Sequence, residues 1–156
     1  MKNVSQNINL KSNAAASKKF GIVKSLWNSE ITEKLHKGCY DTLIKYGAHS
    51  DDITTLEVPG SFELIYGGKK IVEKSKLDAV ILIGSIIKGE TPHFDIISQS
   101  ISDGVKDLNI LFDTPFLFCV LTDLNMQQAM ARSGGKEGNK GADCAIAAIQ
   151  LIKNIA

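Results

Sequence analysis

Residues 77–95 read LDAVILIGSIIKGETPHFD. Leu77 to Gly84 is an almost unbroken apolar run, the pattern of a strand buried on both faces. Such strands belong to parallel sheets covered by helices on each side. After the run come a lysine, a glycine, a threonine, a proline and a histidine. Phe94, Ile97, Ile101, Val105 and Leu108 then recur at helical spacing. The stretch is therefore a strand, a polar loop and a helix start. In open α/β sheets, ligands bind just outside the carboxyl ends of the strands. A helix N-terminus offers unpaired N–H groups and the positive end of the dipole, which suits an anion. Thr91 can cap this helix and Pro92 fits its first position. His93 then lies one residue inside, beside any anion held there. Near pH 7 an imidazole can both accept and donate a proton. The stretch points to a phosphate-bearing substrate with His93 as proton carrier.

The same alternation extends outward on both sides. Phe20 to Val23 is a short buried strand ending in KSLWNSE. Ser29 or Asn28 can cap the next helix, where Ile31, Leu35, Cys39, Leu43 and Tyr46 form one apolar face before Gly47. Ile53 to Val58, ITTLEV, is a second strand closed by Pro59-Gly60. A helix over SFELIYGGKKIVEKS follows, with Phe62, Ile65, Lys69 and Val72 on one face. Its Gly67-Gly68 pair weakens it by about a kcal/mol per glycine relative to alanine, and close packing on the sheet is one reason to keep it. Phe116 to Leu121, FLFCVL, is the fourth strand. The C-terminal part divides into a short helix in NMQQAMARSG, a turn at GKEGNKG, and a last helix marked by Ala142, Ala145, Ile146, Ile149 and Ile152. This β-α-β-α-β-α-β-α-α order predicts a three-layer α/β/α sandwich around a four-stranded parallel sheet, flavodoxin-like in plan.

The bulk properties agree. The chain has 156 residues, suited to one domain over residues 20–156. Residues 1–19 are polar and small and read as an arm outside the core. Within it Val4, Ile8 and Leu10 can pair as a short strand with a neighbouring subunit, or the arm can fray. Eighteen Lys and Arg nearly balance 17 Asp and Glu, which argues against nucleic acid or an acidic membrane surface as partner. No apolar run approaches the roughly 20 residues of a membrane span, and no signal peptide is evident. Cys39, Cys119 and Cys144 are odd in number and far apart, which fits core residues in a reducing compartment rather than disulfides or a metal cluster. A cytoplasmic protein without a metal is expected.

Each strand end carries candidate residues. The first has Trp27 and Asn28, the second Ser61, Phe62 and Glu63, the third Ser85 through His93, and the fourth Phe118 and Thr122. In a parallel sheet these ends share one edge and can converge. Trp27 is either an ordinary core or surface residue or a stacking platform. Glu63 is either a first-turn carboxylate or a ligand contact. Arg132, at the end of the short helix, is either a solvated cation favoured there by the dipole or a fork for phosphate. His36 and His49 fall on a polar helix face and in a turn, and read as solvated. Phosphate-loop and dinucleotide fingerprints are absent.

Three segments carry a family resemblance: VPGSFE (Val58–Glu63), GSIIKGETPHFD (Gly84–Asp95) and, from Leu121 to Asp143, LT followed by QQAMARSGGKEGNKGAD. In one collinear order from about Phe20 to the C-terminus, the chain resembles the lumazine synthase family. The resemblance implies a transferase of riboflavin biosynthesis that condenses 5-amino-6-ribitylamino-uracil with 3,4-dihydroxy-2-butanone 4-phosphate, releasing phosphate and water. It implies no metal and no organic cofactor. It assigns Trp27, where many members have phenylalanine, to stacking on the pyrimidine. Asn28, Ser61, Phe62, Glu63, Ser85, Ile86 and Ile87 would hold the ring and ribityl chain, while Gly89, Glu90 and Thr91 would meet the phosphate substrate beside Arg132. His93 would carry protons, and Phe118 and Lys140 would line the site from an adjacent subunit. Lys88 stands where arginine is frequent, and Asp143 where glutamate is common. Glu90 is a carboxylate beside the proposed phosphate, so only its backbone can help. The family forms pentamers, and the compact GGKEGNKG turn resembles members that assemble icosahedral shells, in some cases around a riboflavin synthase partner. The alternatives in the same fold are a non-catalytic carrier or sensor of a ribityl-pteridine or flavin, and a protein whose role is enclosure.

Overall fold

The computed structural model describes residues 8–156, so the pairing expected of Val4 lies outside the described residues. Four strands, β1 (Phe20–Ser25), β2 (Ile53–Val58), β3 (Ala79–Ile87) and β4 (Phe116–Asp123), form one parallel sheet in the order β2-β1-β3-β4. Helices α1 (Ser29–Lys45), α2 (Leu64–Lys74) and α3 (His93–Leu111) connect them in turn. After β4 come α4 (Met126–Arg132), a hairpin of β5 (Ser133–Gly135) and β6 (Gly138–Asn139), and α5 (Lys140–Ile155). The expected α/β/α sandwich is the observed one.

Its two cores follow from the pleat, because successive strand residues point to opposite faces. Ile81 and Ile83 of β3 pack with Ile31, Leu35, Cys39 and Leu43 of α1 and with Ala145, Ile149 and Ile152 of α5. Val80 and Leu82 pack with Leu64 and Ile71 of α2 and with Ile101, Val105 and Leu108 of α3. Burial of β3 on both faces is the situation its apolar run predicts. Part of residues 8–19 joins the first core: Ala15 is fully buried there, with Leu10 and Ala14 packed against it.

Several local expectations are corrected. The first strand runs past Val23 through Lys24 and Ser25, both buried. The lysine is tolerated inside because Glu33 and Glu57 both hold its ammonium, Glu57 at 2.9 Å, and a buried charge persists where it is paired. Helix α2 begins at Leu64 rather than Ser61 and buries Leu64, Gly67, Gly68 and Ile71, leaving Phe62 exposed. The glycine pair lets this helix lie on the sheet: a Cβ on Gly67 would stand 2.7 Å from Val23 and 2.9 Å from Val58. His36 is half-buried, 3.0 Å from the Thr55 hydroxyl, and burial pulls its pKa down. The GKEGNKG turn is part of the β5–β6 hairpin, with Gly134 at φ 120° and Gly138 at φ 79°. Backbone there lies in the region that favours glycine.

Candidate active site

The carboxyl ends of β1, β2 and β3 open onto a cleft of about 600 Å³. Its walls include Trp27, Ser61, Phe62 and Glu63, then Ser85, Ile86 and Ile87, then Gly89, Thr91 and His93. Ten of the predicted site residues thus line one cavity. Its floor is the extension of β3 through Ile87, three residues beyond the strand end read from the apolar run at Gly84.

Each element delivers its residues for a local reason. The amides of Leu26 and Trp27 bond the carbonyls of Val58 and Pro59, at 2.8 and 3.0 Å, which fastens the β1 end to the β2 end. Trp27 remains 71% exposed, with a free aromatic face. Asn28 adopts φ 54°, ψ 48° and, unlike the expectation, caps nothing with its side chain. Its amide instead donates to the Ser85 carbonyl at 2.9 Å. Asn28 is therefore at the cleft as a tie to β3 rather than as part of its lining. Glu63 folds back so that a carboxylate oxygen accepts from the Gly60 amide at 2.8 Å. The Ser61 hydroxyl approaches Gly84 so closely that a Cβ there would stand 2.6 Å from it.

Two polar atoms in the cleft are left over. The Ser61 and Ser85 hydroxyls are buried and have no hydrogen-bond partner. Such groups are uncommon in native structures and call for a ligand or water. With exposed Trp27 lining the same cleft, they suit a flat, polar ring bearing hydroxyl or carbonyl groups.

The third strand end meets α3 as an anion site would require. The helix begins at His93 with Pro92 as its N-cap, so His93 is its first residue and Thr91 makes no side-chain cap. The histidine is exposed at the cleft. The first amides of a helix have no partner within it, and the space around Gly89 is open, with nothing within 4 Å of a Cβ placed there. Glu90 is exposed and outside the cleft lining. The Lys88 ammonium lies 5.9 Å from the Phe94 ring centre.

Phe118, Arg132 and Lys140 do not line this cleft. Phe118 is 41% exposed on β4. Arg132 lies 3.4 Å from Asp123, and Lys140 lies 2.9 Å from Asp143 one turn along α5. Burial pushes the Asp123 carboxyl above its ordinary pKa, and the neighbouring guanidinium opposes that shift. Among the described residues no cluster of His, Cys, Asp and Glu is fit to hold a metal. Cys39 and Cys119 are buried free thiols; burial raises the pKa of Cys39, and the contact with Cys144, followed by burial, raises that of Cys119.

Sequence reasoning missed some residues of the site. Phe94 and Ile97 line the cleft, although their spacing assigned them to the core face of α3. Neither their spacing nor their type separates the two roles. Outside the cleft, the Asn139 cap of α5 was also missed: its side-chain oxygen accepts from the amides of Gly141 and Ala142, and its amide donates to the Lys34 and Ser133 carbonyls. An asparagine just before an apolar helical stripe is the available signal for that cap.

Comparison with known proteins agrees with the geometry. A family profile for 6,7-dimethyl-8-ribityllumazine synthase matches residues 17–156. The chain is 52% identical over 136 residues to the 6,7-dimethyl-8-ribityllumazine synthase of Christiangramia forsetii, covering 86% of this chain and 81% of that one. It is 53% identical over 133 residues to the synthase of the same name from Flavobacterium johnsoniae, with 85% and 70% covered. Against that of Bacteroides fragilis the identity is 48% over 134 residues, with 86% and 94% covered. The chain belongs to the 6,7-dimethyl-8-ribityllumazine synthase family.

Proposed function

We propose that the chain is a working 6,7-dimethyl-8-ribityllumazine synthase, joining 5-amino-6-ribitylamino-uracil to 3,4-dihydroxy-2-butanone 4-phosphate. The observation that carries this reading is the cleft itself: Trp27, the unpartnered Ser61 and Ser85 hydroxyls, Thr91 and His93 share one cavity. In this reading the pyrimidine stacks on Trp27, and Ser61, Phe62, Glu63 and the Ser85–Ile87 segment hold the ring and the ribityl chain. Asn28 supports them by bracing Ser85. The phosphate of the ketone sits against Gly89, Glu90 and Thr91 through their backbone, at the positive end of α3.

The chemistry asks for proton movement more than for a nucleophile. The uracil amine attacks the ketone carbon, and the carbinolamine loses water to give an imine. Phosphate then leaves by elimination, taking its bonding electron pair. Loss of the C3 proton accompanies that departure and leaves an enol, which tautomerises to a new carbonyl at C3; the ribitylamino nitrogen attacks it, and loss of a second water closes the ring. His93 accepts and returns the protons of these steps, a role worth roughly 10²–10⁴ in rate. Holding two substrates in one cleft supplies much of the remainder. Arg132 stabilises the departing phosphate.

Phe118 and Lys140, outside the cleft in their own subunit, are proposed to complete the cleft of a neighbour. A homo-pentamer in the cytoplasm, further assembled into an icosahedral shell with room for a riboflavin synthase partner, is the corresponding quaternary reading. Exposed Leu26, Phe62, Tyr66, Ile110 and Leu111 give such an assembly apolar surface to cover. The expected particle sediments far above the 16.9 kDa of one chain, and a monomer would overturn it. The direct test mixes both substrates with the protein and follows the fluorescent product. Acceleration over the uncatalysed condensation is expected; its absence would leave the non-catalytic ribityl-pteridine or flavin carrier as the reading of the same cleft.

A further inference from the structure

Asp123 ends β4 and is 5% exposed. Its backbone carbonyl accepts from the Lys88 amide at 2.9 Å, at the start of the loop proposed to meet phosphate. Its side chain turns to α4, where one carboxylate oxygen lies 3.4 Å from the Arg132 guanidinium. The other oxygen is buried without a hydrogen-bond partner. A buried, half-satisfied carboxylate is costly where it only fills space. The same guanidinium nitrogen donates to the Gln128 carbonyl at 3.2 Å. Two acceptors thus converge on one terminal nitrogen of Arg132, while the side chain stays 38% exposed. A guanidinium has five N–H donors in a rigid fork. Fixing one nitrogen from inside leaves the other terminal nitrogen and Nε free as a bidentate pair, the arrangement that matches a phosphate.

We infer that Asp123 is a positioning residue that aims the Arg132 fork at the phosphate of the ketone substrate. The inference rests on the reading of Arg132 as the phosphate cation. Asp123 touches neither substrate and acts only through Arg132.

Steady-state kinetics with each substrate varied tests this in Asp123→Ala, Asp123→Asn, Arg132→Ala and the Asp123→Ala/Arg132→Ala double variant. Loss of a charge-assisted contact that orders the fork is expected to raise KM for the phosphate ketone about tenfold in Asp123→Ala. The pyrimidine KM stays within about twofold, since no pyrimidine contact changes. Asp123→Asn keeps an acceptor oxygen and so recovers part of the loss, and it carries the test if the alanine variant fails to fold. In the double variant the ketone KM is no worse than in Arg132→Ala alone, because the effect is routed through Arg132. Equal rises in both KM values, no rise in either, or additive losses in the double variant would overturn the inference while leaving Arg132 in place. An Arg132→Ala variant with unchanged ketone KM would instead overturn the phosphate role of Arg132, and this inference with it.

Discussion

The carboxyl ends of β1, β2 and β3 and the carboxyl end of β4 share one sheet edge but are finished differently. Around the first three strands, polar atoms are left unpaired. The Ser61 and Ser85 hydroxyls are buried without partners, and Trp27 and Phe62 stand uncovered. Around β4 the charges are already matched: Arg132 faces Asp123, and Lys140 faces Asp143. The first region resembles a cradle waiting for a ligand. The second holds its cations in place with carboxylates of its own. A preorganised cradle binds without paying to order itself, whereas a cation paired with its own carboxylate is held in one orientation. One chain therefore displays a formed cleft with unpartnered hydroxyls beside one region and paired cations at the other.

The comparison is most exposed at His93. His93→Ala is expected to lower kcat by roughly 10²–10⁴, with the pyrimidine KM nearly unchanged, as steady-state kinetics with each substrate varied would show. A matched loss of pyrimidine binding would mean that His93 belongs to the cradle rather than to the chemistry. Gly84→Ala tests the cradle's construction. The added Cβ would stand 2.6 Å from the Ser61 hydroxyl and 3.0 Å from Leu64. Overpacking of this kind costs about 1–3 kcal/mol, to be read from thermal or denaturant unfolding, and it should displace Ser61 and raise the pyrimidine KM. Unchanged stability and affinity would show that Ser61 moves aside freely.

Trp27→Ala should weaken pyrimidine binding by roughly tenfold, since an aromatic stacking pair is worth about 0.5–1.5 kcal/mol beyond its area. Trp27→Phe keeps a π-face and should fall within about threefold of the parent on the same scale. Ligand titration distinguishes them, and equal losses would favour indole-specific hydrogen bonding over stacking. The smallest effect lies away from the cleft. The Lys24 ammonium holds the Glu57 carboxyl below its ordinary value of 4.5. A depressed folded-state pKa contributes stability that is present above the unfolded value and lost as pH falls through the folded one. Glu57→Gln should therefore lower stability slightly near neutrality, where the ionised Glu57 contributes, and flatten the acid limb of the stability curve below about pH 4.5, where the parent loses that contribution. An unaltered acid limb would show that Glu33 alone holds Lys24.

Much of this was legible before the structure. Of the five apolar positions read from Ile31 to Tyr46, the first four lie in α1 and are buried, and Tyr46 is the residue that ends it. The apolar run of β3 announced a sheet covered on both sides, and the strand ends named ten residues that line the cleft. The errors have local causes. Helix α2 was started three residues early because Ser61 to Glu63 has an ordinary helical composition. Only the Glu63 turn back to Gly60 shows that the chain is still in a loop there. The β5–β6 hairpin went unread because strands this short and rich in glycine carry no side-chain alternation.

By itself the sequence determined the elements, their order, the parallel sheet and the position of His93 at a helix start. These are set by spacing and by residue type, which act over a few residues of chain. Its motifs also carried the family. The tertiary structure decided the contacts between distant residues. It joined Asn28 to Ser85 across 57 positions and Asn139 to Lys34 across 105. It buried Lys24 between two carboxylates, left two serine hydroxyls without partners, and turned Asp123 toward Arg132. Such pairings depend on how helices and strands pack. A polar side chain has no periodicity to announce its partner, and burial alone determines whether it must find one.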